Sequence, residues 1–233
     1  LWHTINLWPA WSGLSDAVRK GTSVFERKPE DRNWQAKSFM AAMHLFASRG
    51  APGILAEIDL TNVKRVLDVG GGSGAYSIAL CKAKPDIESV VFDLPDIVPI
   101  TREYAAEAGM ADRISTVTGD FNVDDLPTRF DLVYMSQILH SNTREQNARL
   151  LKQAYNAANP GGQVVVQEFV VDEGRASPPG PVMFAINMLV ATEGGDTFTE
   201  SEISQWLADA GFVDTRRADT PTGTTLLMAR KPS

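Results

Sequence analysis

Cysteine and histidine are both scarce in this sequence, which has one Cys and three His among 233 residues. The single Cys81 cannot form an internal disulfide, and no group of Cys and His residues has the spacing of metal ligands. The sequence therefore excludes a structural zinc site, and we expect no metal cofactor. Because disulfides are rare in reducing compartments, the cysteine usage also favours a cytoplasmic protein.

Long basic runs and long apolar runs are also missing. Basic residues form no run longer than Arg216-Arg217, and the formal net charge is −7. This balance argues against nucleic acid or an anionic membrane as a partner. The longest apolar stretch, residues 182–190, is interrupted by Asn187 and is about half as long as a membrane-spanning helix. The sequence starts at Leu1 without a signal-peptide pattern, so we expect upstream residues.

Short apolar segments alternate with helical segments from Val63 onward. The predicted strands are residues 65–69, 89–93, 114–118, 130–135 and 163–167. The predicted helices between them are residues 74–83, 98–108 and 143–158, the last with Thr143 as its cap and an apolar stripe at Leu150, Leu151 and Ala154. Alternation of this kind is typical of an α/β, Rossmann-like, doubly wound parallel sheet.

The pattern changes near the end of the sequence. A helix is predicted from Thr199 to Gly211, followed by strands at 212–216 and 224–229 around a turn at Pro221-Thr222-Gly223. Two strands with so short a connection pair antiparallel, so we predict seven strands with a C-terminal antiparallel hairpin. The Pro-rich residues 177–181 predict a loop or the hinge of a lid.

Residues 1–62 form a helical N-terminal segment in this interpretation, and residues 63–233 form the second domain. Phe39, Met43 and Phe46 recur at helical spacing and predict an apolar stripe. Trp2, Trp8 and Trp11 belong either to the core or to a surface that meets a second subunit. We expect the second arrangement, and therefore a homodimer.

The strongest local motif runs from Asp68 to Gly74, between the first strand and the first helix. Glycines let the backbone turn sharply there and approach a ligand closely. The segment also matches the dinucleotide pattern G-x-G-x-x-A loosely. Asp68 favours a ligand with a cationic amine over a pyrophosphate, which a carboxylate would repel.

Two further segments follow neighbouring strands. Asp93 ends the second strand, where a carboxylate can accept hydrogen bonds from both ribose hydroxyls of either NAD or adenosylmethionine. Gly119-Asp120-Phe121 follows the third strand and offers a polar group and an aromatic face to an adenine.

Five motifs in this order resemble those of class I S-adenosylmethionine-dependent methyltransferases, and together they resemble the small-molecule O-methyltransferase family of plants and bacteria. The motifs are residues 68–74, 91–95, 119–121, 138–140 and 159–168. The similarity extends from about Trp11 to Arg230. Family members also carry an N-terminal winged-helix dimerisation domain, which this sequence lacks.

The resemblance implies that residues 63–233 bind S-adenosylmethionine and release S-adenosylhomocysteine. It implies contacts from the glycine loop to the methionine part of the donor, from Asp93 to the ribose, and from Asp120 to the adenine amine. The other implied donor contacts are Asp68, Gly70, Gly72, Leu94, Phe121 and Ser136.

The resemblance also implies an acceptor site for a small, aromatic molecule with a hydroxyl group. His140 matches the general base of the family, Glu168 the carboxylate that orients it, and Met43 a substrate-contacting Met. Such a base suits the reaction, because a phenol with a pKa of about 10 is mostly protonated at neutral pH. We expect variable loops such as 172–198 to complete the pocket.

The sequence departs from the family at the acceptor side. The His-Asp-Trp of the family is here His140-Ser141-Asn142, and its second acid falls on Thr197. Donor-dependent hydroxylation or decarboxylation on the same scaffold is therefore an alternative, as is a non-catalytic adenosylmethionine-binding module. An NAD-dependent dehydrogenase ranks third because of Asp68.

Each of these residues also has a purely structural interpretation. The glycine loop could be a tight turn without a ligand, His140 a helix-capping residue, and Glu168 a surface carboxylate. We assign His44, which lies beside the predicted apolar stripe, to a structural role.

Overall fold

The computed structural model describes residues 2–26 and 32–233, and within helices it omits the side chains of residues 2–6 and 32–36. The strands are β1 Arg65–Val69, β2 Glu88–Asp93, β3 Ile114–Thr118, β4 Phe130–Ser136, β5 Ala158–Glu168, β6 Val170–Val171, β7 Phe198–Thr199, β8 Val213–Asp219 and β9 Thr225–Arg230. The helices are α1 Trp2–Ser12, α2 Leu14–Lys20, α3 Arg32–Leu55, α4 Ala75–Ala83, α5 Val98–Glu107, α6 Arg144–Ala157, α7 Pro179–Ala191 and α8 Glu200–Ala210. A 3-10 helix spans Leu139–Ser141.

One seven-stranded sheet organises the chain, in the order β3-β2-β1-β4-β5-β9-β8. The first five of these strands pair in parallel, and β9 pairs antiparallel with both β5 and β8. This confirms the predicted doubly wound sheet and its C-terminal hairpin. The strand order reverses between β1 and β4, and such a switch point opens a crevice for ligands at the carboxyl ends of parallel strands.

Both faces of the sheet are buried under helices. On one face Val133 and Met135 of β4 join a core that includes Leu150 and Leu151 of α6. On the other face Tyr134 packs in a core with side chains of α3 and α4. Coverage of both faces explains why the central strands are almost continuously apolar rather than alternating.

Two of the helices begin with reciprocal side-chain caps. The Thr143 hydroxyl accepts a hydrogen bond from the Gln146 backbone, and the Gln146 side chain accepts one from the Thr143 N–H. Thr199 and Glu202 form the same capping box before α8. Each box satisfies backbone N–H groups that the first helical turn leaves unpaired, so both helices begin where the sequence predicts.

Three predicted boundaries were wrong. Residues 177–181 are not simply a loop, because α7 begins at Pro179, and the fixed φ angle of proline suits the first turn of a helix. The stretch 172–198 therefore contains a helix of 13 residues. β5 begins at Ala158 instead of residue 163, with a register shift against β4, and β8 extends to Asp219 because it pairs with Thr225.

The N-terminal helices pack against α7. Ala10, Ala17 and Val190 are buried together. The indole N–H of Trp11 donates to Oδ1 of Asn187 over 3.1 Å, and the Ser23 hydroxyl donates to the Val190 carbonyl. Contacts thus cross the boundary predicted at residue 62, and that boundary stays a prediction.

Residues 32–55 confirm the predicted helix around Met43, but not a fully buried stripe. Phe46 on this helix is 64% exposed, and Trp8 on α1 is 76% exposed. The side chain of Trp2 lies outside the described residues. Within the described part of the chain, no helix combines the length and apolar character needed to cross a bilayer.

Candidate active site

The carboxyl edge of the parallel strands gathers ten of the eleven predicted site residues. Asp68 lies in β1, Asp93 ends β2, Ser136 ends β4 and Glu168 ends β5. The remaining residues lie in the connections that leave this edge: Gly70, Gly72, Leu94, Asp120, Phe121 and His140. Met43 instead lies on α3, between two residues that contact the glycine loop. The roles of all eleven residues stay predictions.

Close packing makes glycine necessary in the loop after β1. Gly70 and Gly72 have φ angles of 64° and 58°, a region that other residues rarely adopt. A Cβ atom at Gly71 would lie 2.6 Å from Cγ of Asp68, and one at Gly70 would lie 2.8 Å from Ile138. The loop therefore presents bare backbone, which suits close contact with a ligand.

Asp68 lies beneath this loop and is only 1% exposed. Its Oδ2 accepts a hydrogen bond of 2.6 Å from the Ser77 hydroxyl, whereas Oδ1 has no partner among the described residues. Burial raises the pKa of Asp68 to about 6, against the lowering effect of Ser77. Asp68 is therefore buried beneath the glycine loop, and Gly71 packs directly on its carboxyl group.

Asp93 connects the end of β2 to the same loop. Its Oδ2 accepts a 2.7 Å hydrogen bond from the Gly72 N–H, and its Oδ1 accepts one of 2.7 Å from the Leu94 N–H. Burial raises the pKa of Asp93, while both backbone hydrogen bonds lower it. Each oxygen keeps a second lone pair, so the carboxylate can still accept two hydroxyl groups from a ribose.

The turn after β3 holds Asp120 and Phe121 in a fixed arrangement. Oδ1 of Asp120 accepts a hydrogen bond of 2.8 Å from the Asn122 N–H. Phe121 is half-buried against the core, and its carbonyl accepts a hydrogen bond from the Gln153 side chain. Leu94, across the edge, is exposed, so an apolar side chain and an aromatic ring are both available at this part of the edge.

Ser136 belongs to a buried polar network at the end of β4. Its hydroxyl donates to Oε1 of Gln167 over 3.1 Å, and the Tyr134 hydroxyl donates to the same oxygen. Gln167 in turn donates to the Thr224 hydroxyl. Ser136 thus has protein partners already, and any contact with a ligand adds to this network.

His140 and Glu168 form a hydrogen-bonded pair in the site. Nδ1 of His140 lies 2.9 Å from Oε2 of Glu168, and Glu168 is 2% exposed. Oε1 of Glu168 also accepts hydrogen bonds from the N–H groups of Leu139 and His140. A carboxylate only accepts, so Nδ1 carries the proton, and Nε2, which has no partner among the described residues, keeps a free lone pair.

Two residues that contact the site were missed by the sequence analysis. The Phe184 ring of α7 meets the His140 ring edge-on, with centroids 4.8 Å apart, and it also contacts the Phe169 ring. The Thr101 hydroxyl donates to the Gly72 carbonyl over 2.5 Å. Phe184 lies in the apolar stretch 182–190, whose helical periodicity was the available signal.

Three residues differ from the family pattern at the acceptor side: Ser141, Asn142 and Thr197. The Ser141 hydroxyl donates to the Ile138 carbonyl, and the buried Asn142 side chain donates to Asn147. The Thr197 hydroxyl is buried and has no partner among the described residues. The position predicted for a second acid therefore carries a neutral group that leaves His140 with one carboxylate partner.

Two cavities lie at the opposite, amino edge of the sheet. Their volumes are about 160 Å³ and 320 Å³, and both are lined by Asp59, Gln163 and Arg230. Neither includes a residue of the glycine loop or the His140–Glu168 pair. The chemistry-bearing groups are at the carboxyl edge, and we assign the candidate site there.

Comparisons with known proteins identify relatives over most of the chain. A family model described as an O-methyltransferase domain matches residues 11–213. The 3-hydroxy-5-methyl-1-naphthoate 3-O-methyltransferase of Streptomyces sahachiroi is 36% identical over 89% of this chain and 61% of its own length. The acetylserotonin O-methyltransferase of Bos taurus is 32% identical over 95% of this chain and 66% of its own length. The chain thus spans 61% and 66% of the lengths of these two relatives.

Solved structures agree with the sequence matches. Human N-acetylserotonin methyltransferase in complex with SAM superimposes with a TM-score of 0.86 at 27% identity, over 97% of this chain and 67% of that chain. PigF with SAH gives a TM-score of 0.88 at 27% identity, over 97% of this chain and 70% of that chain. Both share the fold described above.

Proposed function

The chain belongs to the O-methyltransferase domain family, and from this premise we propose that it transfers a methyl group from S-adenosylmethionine to a hydroxyl group of a small, aromatic molecule. The observation that carries the proposal is the His140–Glu168 pair, 2.9 Å apart, at the edge of the sheet where the glycine loop also lies. The candidate base lies close to the glycine loop, because Ile138, two residues before His140, packs on Gly70.

The residues at the glycine loop fit this donor. Gly70 and Gly72 have positive φ angles and no side chains, so the loop can present backbone groups to the donor at close range. The Asp93 carboxylate next to it retains acceptor capacity for two ribose hydroxyls. S-adenosylmethionine, when bound, supplies an electrophilic methyl group on a sulfonium.

His140 acts as the general base in this proposal. Glu168 holds the proton on Nδ1, so Nε2 is free to accept the proton of the acceptor hydroxyl as that oxygen becomes a nucleophile. The backbone hydrogen bonds from Leu139 and His140 fix the carboxylate, which in turn fixes the plane of the ring. Methyl transfer depends chiefly on such positioning, since nucleophile, methyl group and leaving sulfur must be in line.

Two aromatic rings support an aromatic acceptor. Phe184 and Phe169 contact each other, and Phe184 contacts the ring of His140, so the base lies beside an apolar wall. Flat apolar ligands gain offset or edge-on contacts with such rings. The naphthoate named for one relative is consistent with this class of acceptor.

The alternatives are not favoured by the relatives. Those named above are methyltransferases, which argues against hydroxylation, decarboxylation or a purely binding role. A 32% identical relative from Streptomyces lavendulae is an L-tyrosine C(3)-methyltransferase, so the position of the new methyl group must be established on the product itself. We propose further that the reaction takes place in the cytoplasm and needs no metal, because His140 supplies the base.

Binding and turnover test this function separately. Calorimetric titration with S-adenosylmethionine, S-adenosylhomocysteine and NAD should show binding of the first two only, and Asp93→Ala should abolish it. A panel of hydroxynaphthoates and other phenols, assayed with EDTA present, then identifies an acceptor, and NMR of the product assigns the methylated atom.

Replacing the base should affect turnover alone. We expect His140→Ala to bind S-adenosylhomocysteine like the original chain and to lower kcat by about 10²-fold or more. Glu168→Gln should lower kcat less, because it keeps an oxygen acceptor near the ring of His140. Ser141→Ala is the matched control next to the base. Unchanged turnover in His140→Ala would show that His140 is not the general base. If the original chain did not bind S-adenosylhomocysteine, the proposed function would be wrong.

A further inference from the structure

Helix α3 of the N-terminal segment contacts the glycine loop with two side chains. Nδ1 of His44 lies 2.9 Å from the Ser73 hydroxyl, and Ser73 is buried between Gly72 and Gly74. Met40, one turn earlier, lies against Gly72, where an added Cβ atom would be 3.2 Å from its sulfur. The loop is therefore held by a helix that the sequence assigns to a different segment.

Helix α5 holds the same loop from another side. The Tyr104 ring stacks on the His44 ring, with centroids 4.0 Å apart and planes inclined by 19°. The Thr101 hydroxyl donates to the Gly72 carbonyl. His44 is thus fixed by stacking on α5 while its ring nitrogen lies within hydrogen-bond distance of Ser73, so the ring is held in one orientation.

We propose that His44 is a positioning residue for donor binding, which holds the glycine loop in its binding conformation through the hydrogen bond to Ser73. This inference rests on the proposed function, since it assumes that the loop binds S-adenosylmethionine. It gives His44 a role in binding in place of the structural role that the sequence suggests.

The loop needs such an anchor because of its glycines. Gly70, Gly72 and Gly74 all have positive φ angles, and glycine gains more conformational freedom than other residues when it is released. Within residues 70–74, Ser73 has the side chain to which a neighbouring helix can form a hydrogen bond. A hydrogen bond that selects one loop conformation before the ligand arrives raises affinity by lowering the ordering cost of binding.

The pKa of His44 provides a second way to test this role. Burial lowers its pKa, Lys82 of α4 lowers it further, and Glu107 of α5 raises it, with Tyr104 stacked on the ring. The imidazole is therefore neutral at neutral pH, and the folded chain binds a proton there less readily than the unfolded chain. Protonation of His44, as the pH falls below about 6.5, therefore costs the folded chain free energy.

Four variants test this role through S-adenosylhomocysteine affinity, measured by calorimetry without any acceptor. His44→Phe keeps the stacking on Tyr104 and removes the hydrogen bond, whereas His44→Asn keeps a polar atom near the position of Nδ1 and cannot titrate. Ser73→Ala removes the other partner. Ser48→Ala is the matched control, because Ser48 lies one turn after His44 on α3 at an exposed position.

We expect His44→Phe and Ser73→Ala each to weaken binding by about three- to tenfold at pH 7.5, and their combination to weaken it no further than either alone. His44→Asn should bind within about twofold of the original chain and should lack the protonation step that His44 contributes below about pH 6.5. Ser48→Ala should bind like the original chain.

The outcomes separate this inference from the proposed function. If the original chain binds S-adenosylhomocysteine and both His44→Phe and Ser73→Ala bind it equally well, the positioning role is wrong and the function stands. Additive losses in the double variant would also contradict it. If the original chain does not bind S-adenosylhomocysteine at all, the function and the inference fail together.

Discussion

Asp68 shows how a single buried carboxyl group couples binding-site structure to stability. Its pKa is raised to about 6 in the folded chain, so the folded chain holds this proton more tightly than the unfolded chain. The free energy of unfolding therefore decreases as the pH rises from about 4 to about 6, by up to about 3 kcal/mol.

Replacing Asp68 by Asn should remove most of this pH dependence. We expect a smaller change in the free energy of unfolding between about pH 4 and 7, measured by urea unfolding at each pH. Part of the dependence remains, since burial also raises the pKa of Asp93. Asp112→Asn, at an exposed position, is the control and should keep the original slope. An Asp68→Asn variant with the original slope would show that Asp68 does not carry the effect.

The motif residues could be predicted because each one follows a strand. Asp93, Asp120 and Glu168 share an edge as soon as the strands are parallel, whatever the details of packing. The burial of Asp68 under Gly71 and the contact between His44 and Ser73 could not be predicted in this way. Both features depend on how closely a helix or a loop packs on the sheet. The spacing of residues along the sequence does not indicate that distance.

At the scale of elements, α7 connects the N-terminal helices to the candidate base. Phe184 on its first half contacts His140, while Asn187 one turn later accepts the hydrogen bond of Trp11. The Ser23 hydroxyl donates to Val190 near its end. The position of the apolar wall beside His140 is thus set in part by α1 and by the segment after α2.

Removing the Trp11–Asn187 hydrogen bond should loosen this wall. We expect Trp11→Phe and Asn187→Ala to raise the KM for the acceptor by about two- to tenfold and to leave S-adenosylhomocysteine affinity unchanged, because neither residue touches the glycine loop. Steady-state kinetics and calorimetry measure the two effects. Ser12→Ala, on the exposed side of α1, is the control. An equal loss of S-adenosylhomocysteine affinity would contradict a local effect of α7.

The starts of helices α6 and α8 could be predicted because each capping box consists of two residues that are three positions apart in the sequence. Thr143 with Gln146, and Thr199 with Glu202, identify the first turns without any tertiary information. Helix α7 could not be predicted in this way, since its start at Pro179 follows residues that are also typical of a loop. Its stability comes from packing against α1 and α2, which a local pattern does not contain.

At the scale of the whole molecule, the N-terminal helices still carry exposed apolar side chains. Trp8 and Val18 on α1 and α2, and Leu45 and Phe46 on α3, are all exposed, and α1 contacts both of the other helices. Exposed apolar area of this kind is typical of surfaces that meet another protein. The predicted homodimer remains consistent with this distribution.

Light scattering on the purified chain tests the dimer directly. We expect a mass of twice the 25.4 kDa of one chain, and a shift to the single mass when Trp8 and Phe46 are both replaced by Ser. Val123→Ser changes an exposed apolar residue in the turn after β3 and should leave the dimer intact. A single-chain mass for the original sequence at roughly micromolar concentrations, where specific dimers persist, would contradict the prediction.

Strand number and the antiparallel hairpin could be predicted, but the neighbours of each strand could not. The pattern of residues 212–229 indicates only that two strands pair with each other. That β9, rather than β8, lies next to β5 depends on which strand completes the core against Val164 and Val166. Such long-range choices are made by packing over the whole sheet.

The position of β9 inside the sheet has a consequence for synthesis on the ribosome. Strands β1 to β5 can pair in the order in which they are made, but the free edge of β5 faces no partner until residues 225–230 have emerged. β8 is made earlier and pairs only with β9, so it cannot close that edge itself. The nascent chain therefore keeps a long apolar strand edge open until residues 225–230 have emerged, which makes β5 the segment where chaperone protection matters most.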